Sequence, residues 1–239
     1  MKPQLPLSPD ASEESIRMWR AGRAAGWAVH RATSWRAPEG LPTERLVIYG
    51  GERFAQAMQQ QRDVFPVPLP DPSWLCELPW PLRQRHIALT RPAPLRTACF
   101  LKPVHDKWFP AGVYPAGATL PPCPEESADQ IYAAEVVYWE TEWRLLVQEG
   151  TIIAGCRYAV GGRPAPDAAE RAEEAIAFGR SVLSIAGAGL PAGVVLDVGE
   201  VSGRGWAVVG LNPAAESALY ANPASSMLGV LAAAYGLTA

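Results

Sequence analysis

Apolar positions along this chain change period several times, and each change marks an element. Trp143, Leu145 and Val147 alternate with Arg144, Leu146 and Gln148. That period of two predicts a half-buried antiparallel strand over 142–149. Glu149-Gly150 then predicts a hairpin turn into a second strand over 151–159. Further on, Ala172, Ala175, Ile176, Gly179, Val182 and Leu183 recur at helical spacing behind a capping box at Asp167-Ala168-Ala169-Glu170. Gly187, Gly189 and Pro191 end that helix. Short apolar runs predict strands at 46–49, 98–101 and 132–138, and a late pair at 194–198 and 206–211 joined by residues 199–205.

Near the start, Ser8-Pro9-Asp10 followed by Glu13 reads as a helix opening. Ile16, Trp19, Ala24 and Trp27 fall near one face, which predicts a helix over about 9–28. Residues 53–60 predict a second helix, entered from the strand at 46–49 through Gly50-Gly51. A lone Gly-Gly without a G-x-G-x-x-G pattern reads as an ordinary strand-to-helix turn rather than a nucleotide loop. Between 66 and 94 prolines crowd around Trp74 and Trp80, and proline's missing amide hydrogen disfavours helices and central strands. An ordered connection pinned by its tryptophans is expected there. A closing helix is predicted over about 223–235.

Composition narrows the class. With 239 residues, 49% hydrophobic and 19% charged, the chain is long enough to bury a sizeable core. Two units are expected, an α/β region over 1–94 and a second over 95–239, itself divided into lobes of about 95–134 and 135–239. The net charge of -3 supplies no broad positive field for nucleic acid. Arg17, Arg20, Arg23, Arg31 and Arg36 offer the one contrary cluster, and a solvated face beside core tryptophans explains them better. Cys76, Cys99, Cys123 and Cys156 are scattered, as are His30, His86 and His105, so no zinc spacing can be read. Met1 to Pro6 lacks the apolar core of a signal peptide, and no segment has the length of a membrane span. A cytoplasmic protein without membrane partners is expected.

The candidate chemistry begins at Phe100-Leu101-Lys102-Pro103, where a lysine ends a buried run, and continues at Lys107-Trp108-Phe109 and Gly112-Val113-Tyr114. Downstream come Glu135-Val136-Val137, Glu142-Trp143-Arg144, Tyr158, Leu196-Asp197-Val198-Gly199, Trp206-Ala207-Val208-Val209, Asn212-Pro213 and Ala218-Leu219-Tyr220. In this order and spacing the residues resemble a compact ATP-grasp clade of undefined substrate. The resemblance is most specific from Cys99 to Tyr220 and extends weakly to Tyr49-Gly50 and to Arg85–Thr90. It implies an α+β fold in which two small α+β lobes with antiparallel sheets sandwich a nucleotide, preceded by a small α/β region.

An ammonium at Lys102 can sit over the α- and β-phosphates as a point charge. Lys107 can reach the γ-phosphate from a closing turn that Trp108 and Phe109 shield. The resemblance places adenine along Glu135, Val136 and Val137, with Glu142 on the ribose. Taken alone, Glu142 is equally an ordinary solvated strand residue. Arg144 shares its face, two residues on, and can either pair with Glu142 or stabilise transferred phosphate. Asp197, in an apolar strand, needs a partner or a metal. The resemblance implies that Asp197 and Asn212 hold Mg2+ between ATP phosphates, but the family's expected glutamate is replaced by Gly210. Glu200 or Glu216 would have to reach in, or Asp197 would serve with phosphate and water.

Two functions follow. One is an ATP-dependent ligase joining the carboxylate of a small molecule or peptide to an amine or thiol through an acyl phosphate. The other is a degenerate module that binds nucleotide or a partner without turnover.

Overall fold

The computed structural model, which describes residues 2–104, 108–121, 130–165 and 170–237, organises the chain around three sheets. Strands β1 (Gln4–Leu7) and β2 (Ala28–Arg31) pair in parallel across helix α1 (Glu13–Ala24). Parallel bridges from Gln4 to Leu46 and from Leu7 to Tyr49 add the predicted run at 46–49 on the other side of β1. Helix α2 (Glu52–Arg62) follows Gly51, whose φ of 79° is open to glycine but strained for other residues.

Helix α1 departs from the predicted 9–28. Its cap is Ser12, whose hydroxyl accepts from the Ser15 amide at 3.2 Å, while the Ser8 hydroxyl donates to Asp10 upstream. Gly26 (φ 75°) turns the chain into β2, so Trp27 lies outside the helix. The buried stripe is Ser15, Met18 and Gly22, and Trp19 is 43% exposed. Gly22 explains the phase: a Cβ there would meet Val29 at 2.8 Å, so β2 packs where the helix is smallest.

The proline-rich connection contains two short helices where helices were expected to be disfavoured, α3 (Ser73–Glu77) and α4 (Trp80–Arg83). Pro72 and Pro79 occupy the capping positions and Pro81 the first turn, where a missing amide hydrogen costs nothing. Trp74 pins the segment by donating to the Ala186 carbonyl at 3.1 Å.

The four-stranded antiparallel sheet has the order β3-β6-β4-β5, with β3 Ile87–Thr90, β4 Cys99–Pro103, β5 Gly112–Tyr114 and β6 Ile131–Ala134. It therefore draws an edge strand from upstream of residue 95. Strand β6 stops at Ala134 rather than reaching Tyr138, because after Glu135 the chain leaves this sheet for the next one.

The five-stranded sheet is antiparallel with the order β11-β10-β7-β8-β9. Its strands are β7 (Trp139–Gln148), β8 (Thr151–Val160), β9 (Arg163–Pro164), β10 (Gly193–Val201) and β11 (Gly205–Asn212). Strand β7 was predicted to be half-buried and is instead covered on both faces. Helix α5 (Ala172–Ala186) packs over Trp143, Leu145, Val147 and Leu196. Helix α6 (Ala224–Ala234) and the N-terminal region cover Leu146 and Val195. Each such side chain contributes about 1.5–3 kcal/mol on leaving water. The capping box predicted before α5 falls partly outside the described residues. Helices and antiparallel sheets together make an α+β fold, and among the described residues no helix is long and apolar enough to cross a membrane.

Candidate functional site

Register in the five-stranded sheet assembles the site. Arg144 on β7, Asp197 on β10 and Gly210 on β11 stand directly opposite one another, and opposite residues of antiparallel strands share a face. Asp197 sits mid-strand because the flanking valines and leucine demand burial. Its own carboxylate is buried with them, at 6% exposure.

That burial is tolerated because both carboxylate oxygens are bonded. Arg144 Nε donates to Oδ1 at 2.9 Å and Arg144 Nη2 to Oδ2 at 2.7 Å, a bidentate pair. Asn212 Nδ2, two residues along β11 from Gly210, donates to Oδ2 at 2.8 Å. The remaining Arg144 nitrogen, Nη1, donates to the Ala218 carbonyl at 2.9 Å. Burial works against the Arg144 charge, but the bonds to Asp197 and its charge outweigh it and raise the pKa. The guanidinium therefore stays ionised.

Two tyrosines enclose this pair. Tyr220 and Tyr158 stack at 5.0 Å and 11°, and the Arg144 guanidinium lies 4.9 Å and 5.7 Å from their ring centres. The register of β7 with β8 skips Tyr158, a bulge that turns its hydroxyl to Glu142 at 2.9 Å. Burial raises the Tyr158 pKa, and the Asp197 and Glu142 charges raise it further, so the phenol remains a donor. Burial also raises the Glu142 pKa, against the lowering pull of the Tyr158 hydrogen bond.

Arg144 thus pairs with Asp197 and not with Glu142, the partner considered from sequence, because the register sets Asp197 directly across the strand. Glu200 is likewise removed from the site: Arg171 binds its carboxylate.

Arg85 was not foreseen as a site residue. It is buried, and it donates from Nη1 to the Val208 carbonyl at 2.7 Å and from Nη2 to the Val209 carbonyl at 3.3 Å. Val209 is the residue that the β10–β11 register skips, so a second bulge turns its carbonyl outward to a side chain. The guanidinium stands 4.8 Å from the Trp139 ring centre. Burial brings its pKa down to about 10, opposed by the charge of Glu142. The available signal was slight, an arginine two residues before the apolar run Ile87-Ala88-Leu89.

The other predicted residues lie elsewhere. Lys102 stands on the four-stranded sheet, half-buried and opposite Tyr132. Lys107 lies outside the described residues. Glu135, Val136 and Val137 form the passage from β6 to β7 and so join the two sheets. The Glu135 carboxylate is occupied: Arg204 donates to it at 2.5 Å and the His86 amide at 3.2 Å, which together lower its pKa to about 2. Val136 is exposed. Phe109 is buried, with Trp108 packed edge-on against it at 4.6 Å.

The magnesium implied by the resemblance would find one carboxylate, already paired with Arg144, and the Asn212 amide oxygen. Among the described residues no three His, Cys, Asp or Glu side chains cluster as a metal site. Such a donor set fits only an ion whose other ligands are nucleotide phosphates and water, the usual manner of magnesium.

A four-stranded and a five-stranded antiparallel sheet, joined at Glu135 and carrying a polar constellation on β7, β10 and β11, define an ATP-grasp domain. The model of the ATP-grasp domain, R2K clade family 2, matches residues 82–228, more than half of the chain, and the protein belongs to that family. Among solved structures the chain is similar to D-cycloserine synthetase DcsG, at 14% identity and a TM-score of 0.58, with 98% of this chain and 100% of that chain covered. It is also similar to the ATP-grasp ligase PsnB complexed with precursor peptide PsnA2 and AMPPNP, at 13% identity and a TM-score of 0.50, with 97% of each chain covered. These likenesses establish the shared fold. Comparison with the curated proteins gives no match.

Proposed function

We propose that this protein is an ATP-dependent ligase that activates a carboxylate as an acyl phosphate and passes it to an amine or thiol. The observation that carries the proposal is the buried Arg144–Asp197 pair, joined by Asn212 on the large sheet of an ATP-grasp domain and covered by Tyr158 and Tyr220. Its chemistry suits phosphoryl transfer. Arg144 keeps a permanent charge for a developing phosphate, and Lys102 brings a second cation from the small sheet. Adenine would lie along Glu135, Val136 and Val137, and the ribose against Glu142. Lys107 completes the expected set at the γ-phosphate. Magnesium, arriving with the nucleotide and flanked by Asp197 and Asn212, would neutralise phosphate charge. A D-cycloserine synthetase and a ligase complexed with a precursor peptide direct attention to small molecules and peptides as the substrate class.

Gly210 favours a second reading, a module that binds nucleotide or a partner without turnover, because the β11 position directly opposite Asp197 carries no carboxylate. ADP release across panels of amino acids and peptides separates the two. The ligase reading expects release that needs magnesium and disappears in Lys102→Ala and in Asp197→Asn. Tight nucleotide binding indifferent to magnesium, with no release, would select the second reading.

A further inference from the structure

Helix α1 lies outside the family-matched residues, yet two of its side chains reach the backbone that shapes the site. Arg17 forks onto two carbonyls, with Nη1 donating to Tyr220 at 2.5 Å and Nη2 to Asn222 at 2.6 Å. Glu14, one turn earlier on the same face, accepts the Leu219 amide at 2.8 Å and the Tyr49 hydroxyl at 2.7 Å. The Tyr49 oxygen also lies 3.1 Å from the Ser217 carbonyl. Every one of these contacts falls within residues 217–222 or on the tyrosine beneath them.

That same stretch presents the Ala218 carbonyl to Arg144 and lays the Tyr220 ring over the guanidinium. Tyr220 achieves this in a left-handed backbone conformation, φ 48°. A bulky residue persists there only where its surroundings fix it, because the conformation is costly. Arg17 grips the Tyr220 carbonyl itself, and Glu14 fixes the amide just before it.

We infer that Glu14 and Arg17 are positioning residues: they hold 217–222 in the strained shape that sets Tyr220 and Ala218 against Arg144. The N-terminal region is thereby part of the machinery of the ATP-grasp domain. The consequence for nucleotide rests on the proposed function. The brace itself does not.

Hydrogen exchange in the full chain reads the brace without any nucleotide. Glu14→Gln and Arg17→Ala should speed exchange at the amides of 217–222 by about tenfold, leaving β10 and β11 protected. Arg20→Ala, at an exposed position on the same helix, should change nothing. Calorimetry with magnesium and AMPPNP should show about tenfold weaker binding in Arg17→Ala. Arg17→Lys, able to reach one carbonyl at a time, should fall between it and wild type. Should Arg17→Ala loosen the whole protein, Arg17→Lys supplies the local comparison. Unchanged exchange at 217–222 overturns the inference, as does faster exchange with wild-type affinity. Wild-type protein that binds no nucleotide defeats the ligase reading instead, and exchange alone then decides the brace.

Discussion

Asp197 and Arg144, 53 residues apart in sequence and opposite in register, share a bidentate ion pair in which both side chains are more than nine-tenths buried. Removing one partner strands the other charge away from water. Arg144→Ala is therefore expected to destabilise the fold by about 3–5 kcal/mol, and urea denaturation measures it. Arg144→Lys keeps the charge but loses the fork, so it should cost less stability while still abolishing nucleotide-dependent activity. A variant Arg144→Ala as stable as wild type would mean that the pair does not exist in solution.

Gly210 faces open space: apart from its own chain neighbours, no atom lies within 4 Å of where its Cβ would stand. It is also directly opposite Asp197. Gly210→Glu should fold normally and add a second carboxylate to the face where magnesium would arrive. Nucleotide affinity in the presence of magnesium should rise about tenfold, the equivalent of ~1.4 kcal/mol, with no gain in its absence. Titration with and without the metal tests this. An equal gain or loss under both conditions would place the new carboxylate away from the ion.

Glu142 sets a pH dependence. Its folded pKa lies above the ordinary 4.5, chiefly through burial, so folding favours the protonated acid. The stabilising contribution of that proton is complete below the unfolded pKa and is lost as pH rises through the folded value. The stability difference between wild type and Glu142→Gln should therefore shrink or reverse as pH climbs from about 4 towards 7. Thermal melts of both proteins across that range check the sign. A difference independent of pH would mean that Glu142 does not titrate as a buried acid.

The β-rich half was legible in the sequence because alternation and turn residues are local signals. Asp197 stood out because a carboxylate inside an apolar run is conspicuous, whereas Asn212 was singled out through the family resemblance. The phase of α1 was not, since its buried stripe uses Ser15 and Gly22, small residues that pack closely against β2 and leave Trp19 outside. Arg85 and Arg17 escaped for a common reason. Their acceptors are backbone carbonyls at Val208, Val209, Tyr220 and Asn222, and every residue has a carbonyl. Only the bulge at Val209 and the left-handed turn at Tyr220 make those carbonyls available, and both arise from tertiary packing. The pairing of Arg144 with Asp197 likewise depended on register, which no single strand specifies.

Gly193 and Gly210 offer a paired test of how the large sheet is covered. Both lie in the β10–β11 pair, and neither has a left-handed backbone. At Gly193 a Cβ would stand 2.0 Å from the Val230 carbonyl oxygen and 2.4 Å from the Ala234 nitrogen. These are backbone atoms of α6, which no rotamer change can move aside. Gly193→Ala must push the helix off the strand and open the core around Leu146 and Val195, at a cost of about 3 kcal/mol or more. Gly210→Ala meets nothing and removes the conformational freedom of a glycine from the unfolded chain, so it should be neutral or stabilise by about 0.5 kcal/mol. Urea denaturation of both variants decides. Equal stability of the two would mean that α6 does not rest on the start of β10 in solution.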